Sequence, residues 1–181
     1  MASAVNRQSP SVEPKPWLRL LPPATRFSFR GNAAAQAAAG AAFGLSFPAI
    51  ACRAAMNTGR AALWLGPDEQ LLLAPAEDGT TLRTALGAAL AGVPHALVDV
   101  SHRQVALEVR GPDAAWLLNA GCPLDLHTTA FPVGMCTRTV FMKAEIVLWR
   151  TAVDAFHLEV WRSFTDYVVG ILREVAGELP R

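Results

Sequence analysis

Ser101 and His102 are adjacent in VDVSHRQVALEVRGPDAAWLLNAGCPLDLH, and a histidine beside a hydroxyl is the first arrangement in this sequence that suggests nucleophilic chemistry. That chemistry needs further parts. There is no G-x-S-x-G turn, and adjacent side chains on a strand leave on opposite faces, which separates the hydroxyl from the imidazole. The pair reads as a polar turn ahead of a strand, with His102 and Arg103 left to face a partner or an anion. Cys136 stands in the apolar run FPVGMCTRTVFMKAEIVLW, and Cys122 lies between Gly121 and Pro123. Apolar surroundings raise a thiol's pKa and quiet it, so both read as packed residues. His95, His127 and His157 lack helical ligand spacing, and His157 reads as the solvent side of the strand carrying Phe156, Leu158 and Val160. RGPDAAW has one glycine and no Lys-Ser or Lys-Thr, so it is neither a phosphate loop nor a dinucleotide fingerprint. No residue of the chain is thereby assigned to catalysis, to a cofactor or to a metal.

What remains are candidate contacts. Arg138, Lys143, Glu145 and Arg150 gather around the later strands, where they suit either an anionic group or the charged edge of a sheet. Trp17 and Trp161 lie outside the strongest periodic patterns and are candidate interface anchors, a role in which aromatics are enriched.

The elements that must position these residues repeat. Val105, Leu107 and Val109 alternate with polar or small residues, the period of a half-buried strand; Gly111 turns the chain, and Pro112, Asp113, Ala114, Leu117 and Leu118 predict a short helix ending near Gly121. Earlier, RFSFRGNAAAQAAAGAAFGL has the same strand, Arg-Gly and helix, with Arg30-Gly31 roughly 80 residues before Arg110-Gly111. A hairpin at Gly66-Pro67-Asp68 and a helix with Leu82, Leu86 and Leu90 on one face follow in the first copy. A hairpin at Val153-Asp154 and a helix carrying Phe164, Val168, Ile171, Leu172 and Val175 follow in the second, with Ser163 and Asp166 placed as a capping box. The sequence therefore predicts an α+β fold of two tandem strand–helix–hairpin–helix lobes with helices on mixed or antiparallel sheets, a disordered arm at 1–16, a first lobe at 17–94 and a second at 95–181. Lobes of this size share a core for stability.

Composition narrows the partners. Sixteen basic residues nearly balance 15 acidic ones, so no field of one sign steers nucleic acid or an anionic membrane to the surface. No segment has the apolar length to cross a bilayer, and the N-terminus lacks a secretory core. Three scattered cysteines fit a reducing compartment, so the expected location is cytoplasmic.

WLGPDEQLLL, VDVSHRQVALEVRGPDAAWLLNAGCPLDLH, FPVG, RTVFMKAEIVLWR and FHLEVWRSFTDYV, in this order, resemble the gamma subunit of heterotetrameric sarcosine oxidase, over about Trp17 to Val175. More distantly, VDVSH and V-x-G-P-D-A are similar to the folate-binding fold of the glycine-cleavage T-protein, an aminomethyltransferase. The resemblance implies a complex that oxidatively demethylates sarcosine to glycine, with hydrogen peroxide and methylene-tetrahydrofolate as products. It further implies alpha, beta and delta partner chains that hold FAD, FMN, NAD, tetrahydrofolate and zinc, and a gamma chain that packs against them without catalysing. Where the T-protein pattern has an Asp-Asp pair, this chain has Ala144-Glu145, so aminomethyl transfer is not expected. The alternatives are a stand-alone folate-type small-molecule binder with its pocket between the lobes, or the equivalent subunit of a complex oxidising another N-methyl amino acid.

Overall fold

The computed structural model describes residues 12–178. The first lobe opens with β2 (Ala24–Gly31), which follows a short β1 (Leu18–Leu20). Phe27 and Phe29 alternate inward on β2, and Asn32 then starts α1 (Ala33–Phe43) by accepting the Ala35 N–H at 3.0 Å. At the other end Gly44 takes φ +75° while Gly44 and Leu45 donate to Ala41 and Gly40, the paired bonds of a Schellman cap. A three-strand meander follows: β3 (Ala54–Asn57), β4 (Arg60–Gly66) and β5 (Glu69–Pro75), then α2 (Gly79–Ala89) and β6 (His95–Asp99). The second lobe runs β7 (Gln104–Arg110), α3 (Ala114–Asn119), β8 (Cys136–Phe141), β9 (Ala144–Ala152), β10 (Ala155–Trp161) and α4 (Thr165–Gly177).

Every strand pair is antiparallel. The orders are β3-β4-β5-β2-β6 and β8-β9-β10-β7-β1, the same topology twice. Each lobe has one strand more than the predicted hairpin, because β3 and β8 are edge strands without a clean apolar alternation. The edge strands are also exchanged. β1, at the start of the predicted first lobe 17–94, pairs with β7 of the second sheet, and β6, at the start of the predicted second lobe 95–181, pairs with β2 of the first. Val12 packs against the second-lobe core, Glu13 receives an Arg173 N–H on its carbonyl and Lys15 bridges to Leu18; residues 1–11 of the predicted arm lie outside the described residues.

The cores form layers. Ala62, Leu72 and Ala74 face α1 and α2, whereas Ala61, Leu63, Leu71 and Leu73 face the other way and meet Val147 and Trp149 of the second sheet. Ile146 and Leu148 face α3 and α4. Each sheet is thus covered by helices on one face and by its partner sheet on the other, which gives the lobes the shared core expected of them. Two local predictions differ. α3 begins at Ala114, after Pro112 and Asp113, with Gly111 at φ +106° making the turn. Ser163 lies in a 3-10 turn and makes no capping bond to α4, and Phe164, in the same turn ahead of the helix, is 37% exposed.

Candidate functional site

Polar side chains collect at the seam between the sheets, because strands buried on both faces must satisfy any polar group against the opposite lobe. The Val100–Arg103 connector runs along this seam. Ser101 Oγ accepts the Arg26 N–H at 2.9 Å, its own N–H donates to Asp99 at 2.9 Å, and the exposed His102 offers only its carbonyl, to Arg162 Nε at 3.2 Å. Ser101-His102 is a polar turn, and its hydroxyl clips one lobe to the other.

Beneath it lies a buried charge network. Arg26 and Glu159, 2% and 0% exposed, meet at 2.6 Å, and His157 Nε2 contacts the second Glu159 oxygen at 2.8 Å. Burial pushes the Glu159 pKa up, but His157 and then Arg26 outweigh it, so the net direction is down. His157 therefore does not face solvent as the strand alternation suggested. β10 is central in its sheet and its second face is covered by the first lobe, where His157 packs at 5.6 Å on Trp149.

A second cluster sits nearer the surface. Glu69 receives Arg30 and Arg138, each at 2.6 Å, and Arg138 also lies 3.9 Å from Glu145. Burial raises the Glu69 pKa, yet the Arg138 hydrogen bond and charge, followed by Arg30, hold it below the ordinary glutamate value. Arg103 stacks its guanidinium 4.7 Å from the Trp161 ring centroid. Glu69, Arg103, Gln104, Arg138, Glu145 and Trp161 border one crevice of only about 20 Å³, room for about one water. Gln104 Oε1, buried there, has no partner among the described residues.

Four of the sequence candidates, Arg103, Arg138, Glu145 and Trp161, thus come together at one crevice. His102 borders the adjoining groove with Arg83 and Arg162. Trp17 stands apart: half-buried, it packs on the second-lobe core, and its carbonyl accepts the Arg110 N–H at 2.9 Å. Lys143 is exposed in the β8–β9 turn beside Met142. Arg150 is neither a surface anion contact nor an exposed edge charge. It is 3% exposed, stacks on Phe156 and donates to the carbonyls of Leu126 and Phe131, in the chain between α3 and β8 that has no ladder of its own, and of Ala152 and Val153 at the β9–β10 turn.

Sequence reasoning passed over Glu69, Gln104 and the Arg26–Glu159 pair. The available signal was a polar residue inside an otherwise apolar strand, as in Leu158-Glu159-Val160. It also passed over Trp116, which at 48% is more exposed than Trp161 at 37%. Outside the seam, a pocket of about 640 Å³ opens between α1 and the following loop, lined by Ala37, Gly40, Phe47, Pro48 and Trp64. Among the described residues no three His, Cys, Asp or Glu side chains converge as metal ligands, and no helix is long and apolar enough to cross a membrane.

The family model described as "Sarcosine oxidase, gamma subunit family" matches residues 30–178. The chain belongs to that family. A relative in Arthrobacter sp., named sarcosine oxidase subunit gamma, is 37% identical over 81% of this chain and 72% of its own. One of the same name in Corynebacterium sp. strain P-1 is 38% identical over 66% of this chain and 58% of its own length. Among solved structures, heterotetrameric sarcosine oxidase from Corynebacterium sp. U-96, in complex with pyrrole 2-carboxylate, contains a chain that superposes with TM-score 0.83 at 34% identity, covering 89% of this chain and 83% of that one. Aminomethyltransferase T of the glycine cleavage system from Bartonella henselae shares the fold, with TM-score 0.63 at 15% identity over 86% of this chain and 44% of that one. In this member of the gamma family, the polar side chains of the seam are mostly spent on one another, and the surface keeps exposed aromatics at Trp116, Trp161, Phe164 and Tyr167.

Proposed function

We propose that the chain is the gamma subunit of a cytoplasmic heterotetrameric sarcosine oxidase and contributes contact area and geometry without catalytic residues of its own. The observation that carries this reading is the family match over 30–178 together with the superposition on a chain of a heterotetrameric enzyme. The complex would convert sarcosine, oxygen and tetrahydrofolate to glycine, hydrogen peroxide and methylene-tetrahydrofolate. Alpha, beta and delta chains would hold the FAD, FMN, NAD, tetrahydrofolate and zinc. In the interior of this chain, the titratable groups are engaged in structural bonds: Arg26 with Glu159, and Arg150 with four carbonyls. A stable docked interface of this kind buries at least about 1,000 Å². Trp161 with its stacked Arg103, the Phe164–Tyr167 pair and Trp116 are the large exposed side chains suited to anchor it.

The crevice at Glu69 and Arg138, about 20 Å³, is far below the few hundred Å³ of a small-molecule pocket, whereas the groove beside His102 reaches about 380 Å³. Titration calorimetry with tetrahydrofolate therefore tests the folate-binder alternative, and an absence of binding heat eliminates it. Co-expression with the alpha, beta and delta chains tests the proposal. Co-elution as one assembly is the expected result, and a chain that stays monomeric in their presence overturns it.

A further inference from the structure

Cys52 and Cys136, distant in sequence and belonging to different lobes, face each other across the lobe boundary. Arg53 and Met135 form an isolated antiparallel bridge between the loop before β3 and the start of β8. On one side of it the Cys136 N–H donates to the Cys52 carbonyl at 3.0 Å, and on the other the Ala54 N–H donates to Gly134 at 2.8 Å. This pattern makes Cys52 and Cys136 opposed residues of a short antiparallel ladder. The 3.0 Å backbone bond between them keeps the two Cα atoms within roughly 7 Å, the limit a disulfide can bridge.

The two thiols are not equivalent. Cys136 is fully buried in the core between the sheets and donates to the Trp64 carbonyl at 3.6 Å; Cys52 is partly exposed and takes φ +56°, a conformation uncommon for a residue with a side chain. Burial pushes the Cys136 thiol up to about 12, and the charge of a Cys52 thiolate adds to the rise, which places the two sulfurs within electrostatic reach. Cys122 lies on the other face of the second sheet, in the core under α3 and α4.

We propose that Cys52 and Cys136 form a modification site, a thiol pair that a peroxide oxidises reversibly to a disulfide joining the two lobes. The partly exposed Cys52, as thiolate, attacks one peroxide oxygen; the O–O bond breaks, leaving a sulfenic acid and a hydroxide that takes up a proton. Cys136, kept protonated by burial, must first give up its proton, which makes this the slow step; its sulfur then attacks the Cys52 sulfur, the S–O bond breaks and the departing hydroxide takes up a proton as the second water. Two thiols lose two electrons and one hydrogen peroxide becomes two waters. Only the physiological source of the peroxide, release by a sarcosine-oxidising complex, rests on the proposed function. Added peroxide tests the pair whether or not the chain joins such a complex.

The experiment treats the reduced full-length chain with hydrogen peroxide under native conditions, then maps peptides without reductant. The expected result is an intact mass lower by about 2 Da, restored by dithiothreitol, and a cross-linked peptide pair containing Cys52 and Cys136. Cys122→Ala keeps the cross-link. Cys136→Ser loses it and leaves a Cys52 sulfenic acid that dimedone traps. Over-oxidation of Cys52 to the sulfinic acid while Cys136 stays reduced in the unsubstituted chain overturns the proposal, as does pairing of either residue with Cys122 or only between chains.

Discussion

The two lobes share strand order, helix placement and even an Arg-Gly dipeptide after the first strand, yet they fill the space beside the first helix differently. In the first lobe α1 is nearly all alanine, and the loop behind it leaves an open pocket of about 640 Å³. In the second, α3 is six residues long and the chain after it folds inward, burying Leu126 and Phe131 under the Arg150 clasp. What the copies retain is the ladder of backbone bonds and the seam, whereas helix length and core volume have drifted apart. A duplicated topology is thus kept by pairing and interlobe burial, which tolerate many side-chain solutions.

The strongest way to break this view is to attack the seam. Glu159→Ala leaves Arg26 buried without its carboxylate and is expected to cost about 3–5 kcal/mol. Both lobes are expected to melt in one transition at lower denaturant, and separate unfolding of the lobes by fluorescence and circular dichroism would show that the seam does not unite them. Replacing both charges with apolar residues of similar size is expected to recover most of the loss.

Next in size is the clasp that only the second lobe has. Arg150→Ala orphans buried carbonyls and is expected to cost about 2–3 kcal/mol, with faster amide exchange confined to the segment between α3 and β8 and the β9–β10 turn. Arg150→Lys rescues little, because a single ammonium cannot reproduce the guanidinium fork. Uniform loss of protection over both lobes would contradict a local role.

Gly31 and Gly111 then sharpen the comparison, because the repeat conserves a glycine for two different reasons. A Cβ at Gly31 would lie 2.6 Å from Ala35 Cβ and 2.9 Å from the Phe29 ring, whereas a Cβ at Gly111 meets nothing within 4 Å but must sit at φ +106°. Gly31→Ala is expected to destabilise by about 1–3 kcal/mol through crowding and Gly111→Ala by about 1–2 kcal/mol through backbone strain. Thermal melts of a double mutant distinguish them: Ala35→Gly offsets part of the Gly31→Ala loss and none of the Gly111→Ala loss.

The sequence disclosed the repeat, the two hairpin turns and the main helices, because strict alternation and glycine punctuation act locally. It disclosed Ser101-His102 as a turn for the same reason. It did not disclose β3 and β8, whose pairing comes from the neighbouring strand and not from their own pattern, nor the exchange of β1 and β6, which is a fact of topology. His157, Arg150 and the Cys52–Cys136 juxtaposition escaped together. His157 and the cysteine pair depend on which face of a strand the other lobe covers, and a period of two looks the same whether the second face meets water or a sheet; Arg150 depends on where the chain between α3 and β8 folds back within its own lobe.

The smallest effect is the most specific to the seam's outer cluster. Glu69 joins Arg30 of its own lobe to Arg138 of the other, and its folded pKa lies below the ordinary glutamate value of 4.5. As the pH falls through that value, the unfolded chain takes up a proton at this site before the folded chain does, so the contribution of Glu69, fully present at neutral pH, is lost toward acid. Both arginines are substantially solvent-exposed, which limits the whole cluster to about 1 kcal/mol. Glu69→Gln is expected to lower stability by that amount at pH 7 and to make the fall in denaturant midpoint between about pH 5 and pH 3 shallower than in the parent chain. Salt at about 1 M should erase most of the difference, because exposed pairs are screened, while the Arg26–Glu159 pair beneath keeps its effect. A Glu69→Gln chain with an acid limb as steep as the parent's would show that the carboxylate holding the lobes together at low pH is a different one.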